Sequence, residues 1–179
     1  MFSELFANNL LVKLLRGDTA RYDLIVSMVG VKLGERLLVI GGGDGQLLAA
    51  LGAKTGLTGT IAAVEPDEAG AARVLEDATK AGVLADVETA VGTLPYPPGS
   101  FDIVVIPFPA DEAAALASHL AEAFRVLRDG GRCAVIVRGA ATPSGAAPPI
   151  VTALQQQGFR AARLLAERNG LVFYESVKK

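Results

Sequence analysis

Short apolar runs alternate with longer segments rich in alanine and leucine along most of the chain. The apolar runs predict seven strands, at Leu37–Ile40, Thr60–Val64, Val87–Ala90, Phe101–Ile106, Arg132–Val137, Ala161–Ala166 and Leu171–Val177. The segments between them predict helices at Gln46–Leu51, Glu68–Ala81, Asp111–Leu127 and Pro149–Gln157. Strands that alternate with helices are typical of crossover units. We therefore expect an α/β fold of three layers, in which a doubly wound, mostly parallel sheet lies between helices.

The pattern within single segments supports this assignment. Phe101–Ile106 is almost continuously apolar, as expected of a strand that is covered on both faces. The third predicted helix carries apolar residues at spacings of four, four and three: Leu116, Leu120, Phe124 and Leu127. We expect Asp129-Gly130-Gly131 to end this helix, because glycine readily adopts the left-handed conformation of a helix terminus.

The C-terminal strands are separated only by Arg168-Asn169-Gly170. Asn-Gly is a strong signal for a tight β-hairpin turn. The sheet should therefore end in an antiparallel pair, with the last of its seven strands antiparallel.

The N-terminal segment lies outside this alternation. Residues 1–30 predict a helix with one apolar face, formed by Phe2, Leu5, Phe6, Leu10, Leu14 and Leu15. One interpretation is a helix packed on the edge of the domain, and the other is a lid over a ligand. We expect a helical cap over residues 1–30 and one domain over residues 31–179. A second irregular segment, Gly139–Pro149, predicts a loop after the fifth strand.

The bulk composition indicates one globular domain of 179 residues, with 51% hydrophobic and 20% charged residues. The net charge is −2 and the basic residues are scattered, so we expect no nucleic-acid partner. A single cysteine, Cys133, excludes a disulfide within the chain and suggests a reducing compartment. No signal peptide or membrane span is recognisable, and we expect a cytoplasmic location. The apolar N-terminal face is compatible with a homodimer.

A glycine-rich turn follows the first predicted strand. Four of the five residues in Gly41–Gly45 are glycines, and such a turn from strand to helix lets the backbone approach a ligand closely. The dinucleotide-binding pattern G-x-G-x-x-G does not fit, because Gln46 and Leu48 occupy the position of its third glycine in the two possible registers. The pattern G-x-G-x-G does fit, at Gly41, Gly43 and Gly45. A turn that needs glycine only for packing is the alternative.

A carboxylate follows at the end of the second strand, twenty residues after Gly45. Glu65 in this position can accept hydrogen bonds from both hydroxyls of a ribose, whereas the alternative is an ordinary exposed glutamate. Ligands of doubly wound sheets bind at the carboxyl ends of the strands. The other strand ends there are Gly92-Thr93-Leu94 and Pro107-Phe108-Pro109.

Several segments taken together resemble a known family. They are Val39–Gly45, Val64-Glu65-Pro66, Leu94–Asp102, Arg125–Arg132 and Gln157–Arg160. In this order and spacing they resemble the motifs of class I S-adenosylmethionine-dependent methyltransferases, in particular the branch with the ubiquinone and menaquinone biosynthesis methyltransferases. The resemblance covers roughly residues 30–177. It implies a Rossmann-like sheet of seven strands and S-adenosylmethionine as the cofactor.

The resemblance also implies roles for individual residues. Gly41, Gly43 and Gly45 would approach the methionine part of the cofactor, and Glu65 would bind the ribose. The residues that would flank or face the adenine are Pro66, Gly92, Thr93 and Leu94. Those near the methyl group and the acceptor would be Pro107 and Phe108, with Tyr22 and Phe6 completing an apolar lining.

Two positions depart from the family pattern. The family usually has an acid two residues before the first glycine, and this chain has Val39. A second acid usually precedes the Leu-Pro stretch and meets the adenine amino group, but residues 89–93 contain none. We expect a carbonyl near Gly92 or the Thr93 hydroxyl to replace it. Two lost charge-assisted hydrogen bonds would weaken binding by roughly a hundredfold.

Residues that could carry out catalysis are few. We interpret His119 as a surface or rim residue, Cys133 as core packing, and Asp111 and Glu112 as first-turn acids of a helix or a base near the mouth. No metal site is expected, and the catalytic residue stays unassigned. The leading hypothesis is methyl transfer to a small apolar or aromatic acceptor. The alternatives are a non-catalytic binding or assembly module of the same fold, and a nicotinamide-dependent oxidoreductase.

Overall fold

The computed structural model describes residues 22–109, 113–139 and 149–179. Its helices are α1 (residues 22–29), α2 (Gly45–Thr55), α3 (Glu68–Lys80), α4 (Ala113–Val126) and α5 (Pro149–Gln156). Its strands are β1 (Arg36–Ile40), β2 (Thr60–Glu65), β3 (Asp86–Thr89), β4 (Phe101–Pro109), β5 (Leu127–Arg138), β6 (Arg160–Arg168) and β7 (Leu171–Val177). The sequence therefore located every strand, with errors mainly at the ends.

The seven strands form one sheet in the order β3-β2-β1-β4-β5-β7-β6. The observed pairings are parallel except those of β7, which is antiparallel to both β5 and β6. Buried residues of α1, α2 and α3 pack on one face, and those of α4 and α5 pack on the other. This three-layer, doubly wound arrangement confirms the predicted fold, including the antiparallel last strand.

The hairpin between β6 and β7 forms as the sequence predicts. Arg168 pairs with Leu171, so Asn169 and Gly170 alone make the turn. Their φ angles are 54° and 72°. Two successive left-handed residues are the requirement of a type I′ turn, which explains the Asn-Gly sequence.

The end of α4 differs from the expectation. The helix ends at Val126 and strand β5 begins at Leu127, so Asp129-Gly130-Gly131 lies inside an irregular strand instead of a helix terminus. Gly130 N donates to Lys178 O at 2.8 Å, and Lys178 N donates to Gly131 O at 2.9 Å. The C-terminal residues thus pair with backbone groups that the sequence pattern assigns to a turn.

The strands end at different heights along the carboxyl edge of the sheet. Val39 of β1 is level with Val105 of β4, yet β4 continues to Pro109. β5 continues alongside it to Arg138. The last residues of β4 and β5 therefore extend beyond the end of β1. This difference in length leaves a depression above the end of β1.

Arg132 of β5 connects the end of helix α1 to the sheet by hydrogen bonds. The guanidinium donates to Val29 O at 2.9 Å and to Gly30 O at 3.0 Å, and it pairs with Glu35 at 3.1 Å. Ile25 and Val29 are buried in the core. The remainder of the expected cap, with Phe6, lies outside the described residues, so the domain division and the choice between cap and lid stay predictions. None of the helices in the described ranges combines the length and hydropathy that a membrane span requires.

Candidate functional site

A cavity of about 540 Å³ opens at the carboxyl edge of the sheet. The ends of β1, β2 and β4 meet there, where the strand order reverses between β1 and β4. Seven of the residues that the sequence predicts for the site line the cavity: Gly41, Glu65, Pro66, Gly92, Leu94, Pro107 and Phe108. The sheet thus brings together residues that are up to 67 positions apart, from Gly41 to Phe108.

Gly41, Gly42 and Glu65 line one side of the cavity, and we call this side, together with the rest of the turn up to Gly45, the turn side. Gly41, Gly42 and Gly43 have φ angles of 70°, 98° and 56°. Three consecutive left-handed residues would strain any other side chain, which explains the glycine run. A Cβ on Gly42 would lie 3.0 Å from Pro107, so this turn approaches the end of β4 closely.

The structure places Gly45 behind the cavity lining, whereas the family resemblance implies that it approaches the cofactor. It is the buried first residue of α2, and it does not line the cavity. A Cβ there would lie 2.5 Å from the Cβ of Asp77 and 2.6 Å from the carbonyl oxygen of Val74. The glycine lets α2 pack against α3, so at this position the packing alternative describes the structure.

Asp44 closes the turn and begins α2. Its carboxylate accepts from Leu47 N at 2.9 Å, which caps the helix. The same carboxylate accepts from the Tyr22 hydroxyl at 3.0 Å. Arg138 Nη2 lies 3.8 Å from Asp44 Oδ2. Tyr22, expected in the acceptor lining, therefore contacts the glycine turn and is absent from the cavity lining.

Glu65 is almost completely buried, with 4% of its surface exposed. Its Oε1 accepts from Gly43 N at 3.1 Å, which is the only hydrogen bond to this carboxylate from the described residues. Burial raises the pKa of Glu65, and this outweighs the opposing effect of the Gly43 N–H; nearby Asp67 raises the pKa further. An ionised Glu65 would consequently gain from additional hydrogen-bond donors.

The other side of the cavity is formed by residues 90–100 and helix α4, and we call it the loop side. Residues 90–100 connect β3 to β4 and form neither helix nor strand. Ala90, Val91, Gly92 and Leu94 line the cavity, whereas Thr93 is exposed and does not. Ser118 and His119 of α4 complete this side.

Sequence reasoning missed several lining residues. They are Ile40, Gly42, Val64, Ala90, Val91, Pro109, Ser118, His119 and Arg138. Most of them adjoin a predicted strand end and could have been found from that position alone. His119 was expected on the surface or rim, and it is a partly buried residue of the cavity wall. Only the packing of α4 places it there.

The structure shows the surroundings of the two positions that depart from the family pattern, Val39 and the segment without an acid at residues 89–93. The Val39 side chain is 4% exposed and belongs to the apolar cluster beneath α1 and α2. Asp86 and Glu88 are exposed on β3, outside the cavity lining, and Asp86 accepts from the Tyr96 hydroxyl at 3.3 Å. Neither of these two carboxylates of β3 therefore lines the cavity.

Two further expectations concern the other chemistry-bearing groups. Cys133 is buried, and burial raises the pKa of its thiol to about 12, so it is core packing as predicted. In the part of the chain that the structure describes, no three His, Cys, Asp or Glu residues gather into a metal-binding group. Asp111 and Glu112 lie outside the described residues.

Comparison with known proteins identifies the fold and the family. Residues 38–135 match the family described as "Methyltransferase domain". The ubiquinone/menaquinone biosynthesis C-methyltransferase of Pseudomonas putida is 32% identical over 115 residues, which are 62% of this chain and 44% of that protein. The chain thus spans less than half the length of the curated relatives it matches.

Solved structures give the same fold. A SAM-dependent methyltransferase from Aquifex aeolicus has a TM-score of 0.76 at 20% identity, covering 88% of this chain and 89% of that one. PigF with SAH has a TM-score of 0.66 at 16% identity, covering 99% of this chain and 62% of that one. S-adenosylmethionine is the cofactor of this family, as predicted. The chain therefore belongs to the methyltransferase-domain family and has the fold of the class I S-adenosylmethionine-dependent methyltransferases.

Proposed function

We propose that the cavity binds S-adenosylmethionine and that the chain transfers its methyl group to a small acceptor with an apolar or aromatic body. The observation that carries this proposal is Glu65, a buried carboxylate at the end of β2, beside the glycine turn. An isolated buried carboxylate is unfavourable unless further hydrogen bonds stabilise its charge. The two hydroxyls of a ribose are donors that suit this position.

The turn side would bind the rest of the cofactor through backbone. Gly41 and Gly42 line the cavity without side chains, so their peptide groups can approach the methionine part. Gly43 acts through its hydrogen bond to Glu65, and Gly45 acts through the packing of α2. Pro66 and Leu94 lie on the two sides of the cavity and would flank the adenine.

The end of β4 would face the acceptor. Phe108 is buried and lines the cavity between Pro107 and Pro109, which offers an apolar surface to an aromatic or aliphatic body. S-adenosylmethionine supplies a methyl group that is already activated on a sulfonium. The protein then needs mainly to align the acceptor and to exclude water. The catalytic residue stays unassigned.

Binding is the first test. We expect isothermal titration calorimetry to show micromolar binding of S-adenosylmethionine and S-adenosylhomocysteine, and no binding of NADH. Glu65→Gln should weaken both ligands by at least about tenfold, since it removes a charge-assisted partner of the ribose. Glu68→Gln, which changes an exposed carboxylate at the start of α3, is the matched control and should change neither. Absence of binding to the folded wild type would contradict the proposal.

A non-catalytic module is the second candidate function. It is favoured by Val39, whose apolar side chain is buried where the family usually has an acid. An assay of turnover separates the two candidates. A non-catalytic binding module would bind S-adenosylhomocysteine but would not form it from S-adenosylmethionine. A panel of small phenols, quinols and amines should therefore be assayed for S-adenosylhomocysteine formation with the wild type and with Glu65→Gln.

A further inference from the structure

The loop on the loop side of the cavity, residues 90–100, is held in place by hydrogen bonds from another element of the structure. Residues 90–100 have no secondary structure of their own, and yet Leu94 among them is buried against the core. Buried backbone N–H and C=O groups must find partners, because an unsatisfied one is costly. Two residues on α4 supply most of the partners in this segment.

Glu122 and Arg125 lie one turn apart on α4 and form an ion pair, with Nη2 and Oε2 2.6 Å apart. Glu122 Oε2 accepts from Leu94 N at 2.7 Å. Arg125 donates from Nη2 to Leu94 O at 3.0 Å and from Nη1 to Tyr96 O at 2.7 Å. The pair therefore binds both backbone groups of Leu94 and the carbonyl of Tyr96.

The charge of the pair is well stabilised. The guanidinium of Arg125 lowers the pKa of Glu122, and the Leu94 N–H contributes in the same direction against the opposing effect of burial. Both side chains are mostly covered, with 29% of Arg125 and 17% of Glu122 exposed. Arg125 Nε also donates to Glu122 Oε1 at 2.9 Å, so the pair is bidentate. A bidentate, partly buried pair has a fixed geometry, unlike an exposed surface pair.

The pair also connects two parts of the cavity wall. Ser118 and His119 lie one turn before Glu122 on the same helix and line the cavity, and Leu94 lines it from the loop. A shift of α4 would therefore move the loop with it. Arg125 O also accepts from Gly99 N at 3.2 Å, which holds the far end of the loop to the same helix.

We propose that Glu122 and Arg125 are positioning residues. They do not contact the ligand themselves, and they hold residues 90–100 in the position in which this loop faces the nucleoside part of the cofactor. The proposal rests on the function proposed above, because it assumes that the cavity binds S-adenosylmethionine. It makes ligand affinity depend on a salt bridge behind the cavity wall.

Arg125→Lys is the main test, because lysine keeps the charge and loses the planar fork. We expect the Kd of S-adenosylhomocysteine to rise about tenfold and that of 5′-methylthioadenosine, which lacks the amino-acid part, to rise by the same factor. Glu122→Gln keeps an acceptor for Leu94 N–H and should give a smaller increase. In both variants the Leu94 amide should exchange its hydrogen faster than in the wild type.

Arg36→Lys is the matched control, because Arg36 forms a comparable bidentate pair with Asp102 outside the cavity lining. It should lower the melting temperature and leave both Kd values unchanged. If Arg125→Lys lowers the melting temperature like Arg36→Lys and leaves both Kd values unchanged, the pair is merely structural and the inference is wrong. If Arg125→Lys does not fold, Glu122→Gln decides by the same criterion. Failure of the wild type to bind S-adenosylhomocysteine would instead refute the proposed function itself.

Discussion

The two sides of the cavity contain one buried or half-buried glutamate each, and the pKa values of these two residues shift in opposite directions. Burial raises the pKa of Glu65 on the turn side, where one backbone N–H donates to it. On the loop side, the guanidinium of Arg125 lowers the pKa of Glu122. A carboxylate that is paired with a guanidinium serves the structure, whereas a buried carboxylate with a single backbone donor keeps acceptor sites that a ligand can use.

The two sides also differ in how the chain determines them. On the turn side, the left-handed backbone of Gly41–Gly43 and the helix cap at Asp44 are local features, although Glu65 and α3 contact the turn from elsewhere in the chain. The loop side is held by α4, through bonds between residues 28 to 31 positions apart. Substitutions should therefore act on the turn side mainly through steric packing and backbone conformation, and on the loop side through loss of side-chain hydrogen bonds to the backbone.

Gly45→Ala should have the largest effect on stability, because it disrupts packing on the turn side. The added methyl group would meet the Cβ of Asp77 and the carbonyl of Val74, and neither of these can move easily. We expect the free energy of unfolding to fall by about 2–3 kcal/mol, which is typical of overpacking. Urea denaturation measures this change.

Gly43→Ala is the control for this substitution. Its φ is 56°, but no atom lies within 4 Å of the position that a Cβ would occupy. The cost should be only the left-handed backbone, about 1 kcal/mol. A loss in Gly45→Ala no larger than that in Gly43→Ala would contradict the packing role of Gly45.

Tyr22→Phe should have an intermediate effect. It removes the hydroxyl that donates to Asp44 at 3.0 Å and so loosens the attachment of α1 to the glycine turn. A hydrogen bond to a partly buried charged group corresponds to about 1 kcal/mol of stability here. Urea denaturation would again be the measurement.

Tyr96→Phe provides the equivalent change on the loop side. The Tyr96 hydroxyl donates to exposed Asp86 at the longer distance of 3.3 Å, so its loss should leave stability almost unchanged. A larger effect at Tyr96 than at Tyr22 would contradict the view that the turn side depends on this side-chain bond.

The pH dependence of binding should show the smallest effect. Because the pKa of Glu65 is raised above its ordinary 4.5, Glu65 becomes protonated while Glu122 stays ionised as the pH falls. If Glu65 accepts from the ribose as proposed, protonation removes one of its acceptor sites, and we expect S-adenosylhomocysteine to bind about twofold more weakly at the pH where half of Glu65 is protonated. Calorimetry from pH 8 downwards, compared with Glu65→Gln, would measure it. A pH dependence that persists unchanged in Glu65→Gln would contradict this assignment.

The same two pKa shifts change the free energy of unfolding in opposite directions as the pH falls. A raised pKa means that the folded protein holds the proton of Glu65 more tightly, so this residue favours folding increasingly as the pH falls towards 4.5. Glu122 does the opposite: its contribution is present above 4.5 and is lost as the pH falls through its lowered pKa.

Much of this arrangement could be read from the sequence, and the reason is local. The glycine run, the Asn-Gly hairpin and the alternation of apolar runs each reflect the conformation of a few neighbouring residues. The sequence also predicts that Glu65 lies at the cavity, because the end of a strand near a glycine turn is a recurrent ligand position. The cofactor class followed from these motifs in their order.

The other features depend on contacts between distant residues. Gly45 meets α3 and not the cavity, His119 reaches the cavity wall, and Gly130 pairs with Lys178, although nothing in the neighbouring sequence indicates these contacts. The sequence around Glu122 and Arg125 also does not predict that they bind the loop, because at this spacing the two residues look like an ordinary ion pair within a helix. The sequence by itself determined the strands, the turns and the strand ends that line the cavity, because these arise within a few residues. Only the tertiary structure decided which side chains meet, because that depends on how the helices pack against the sheet.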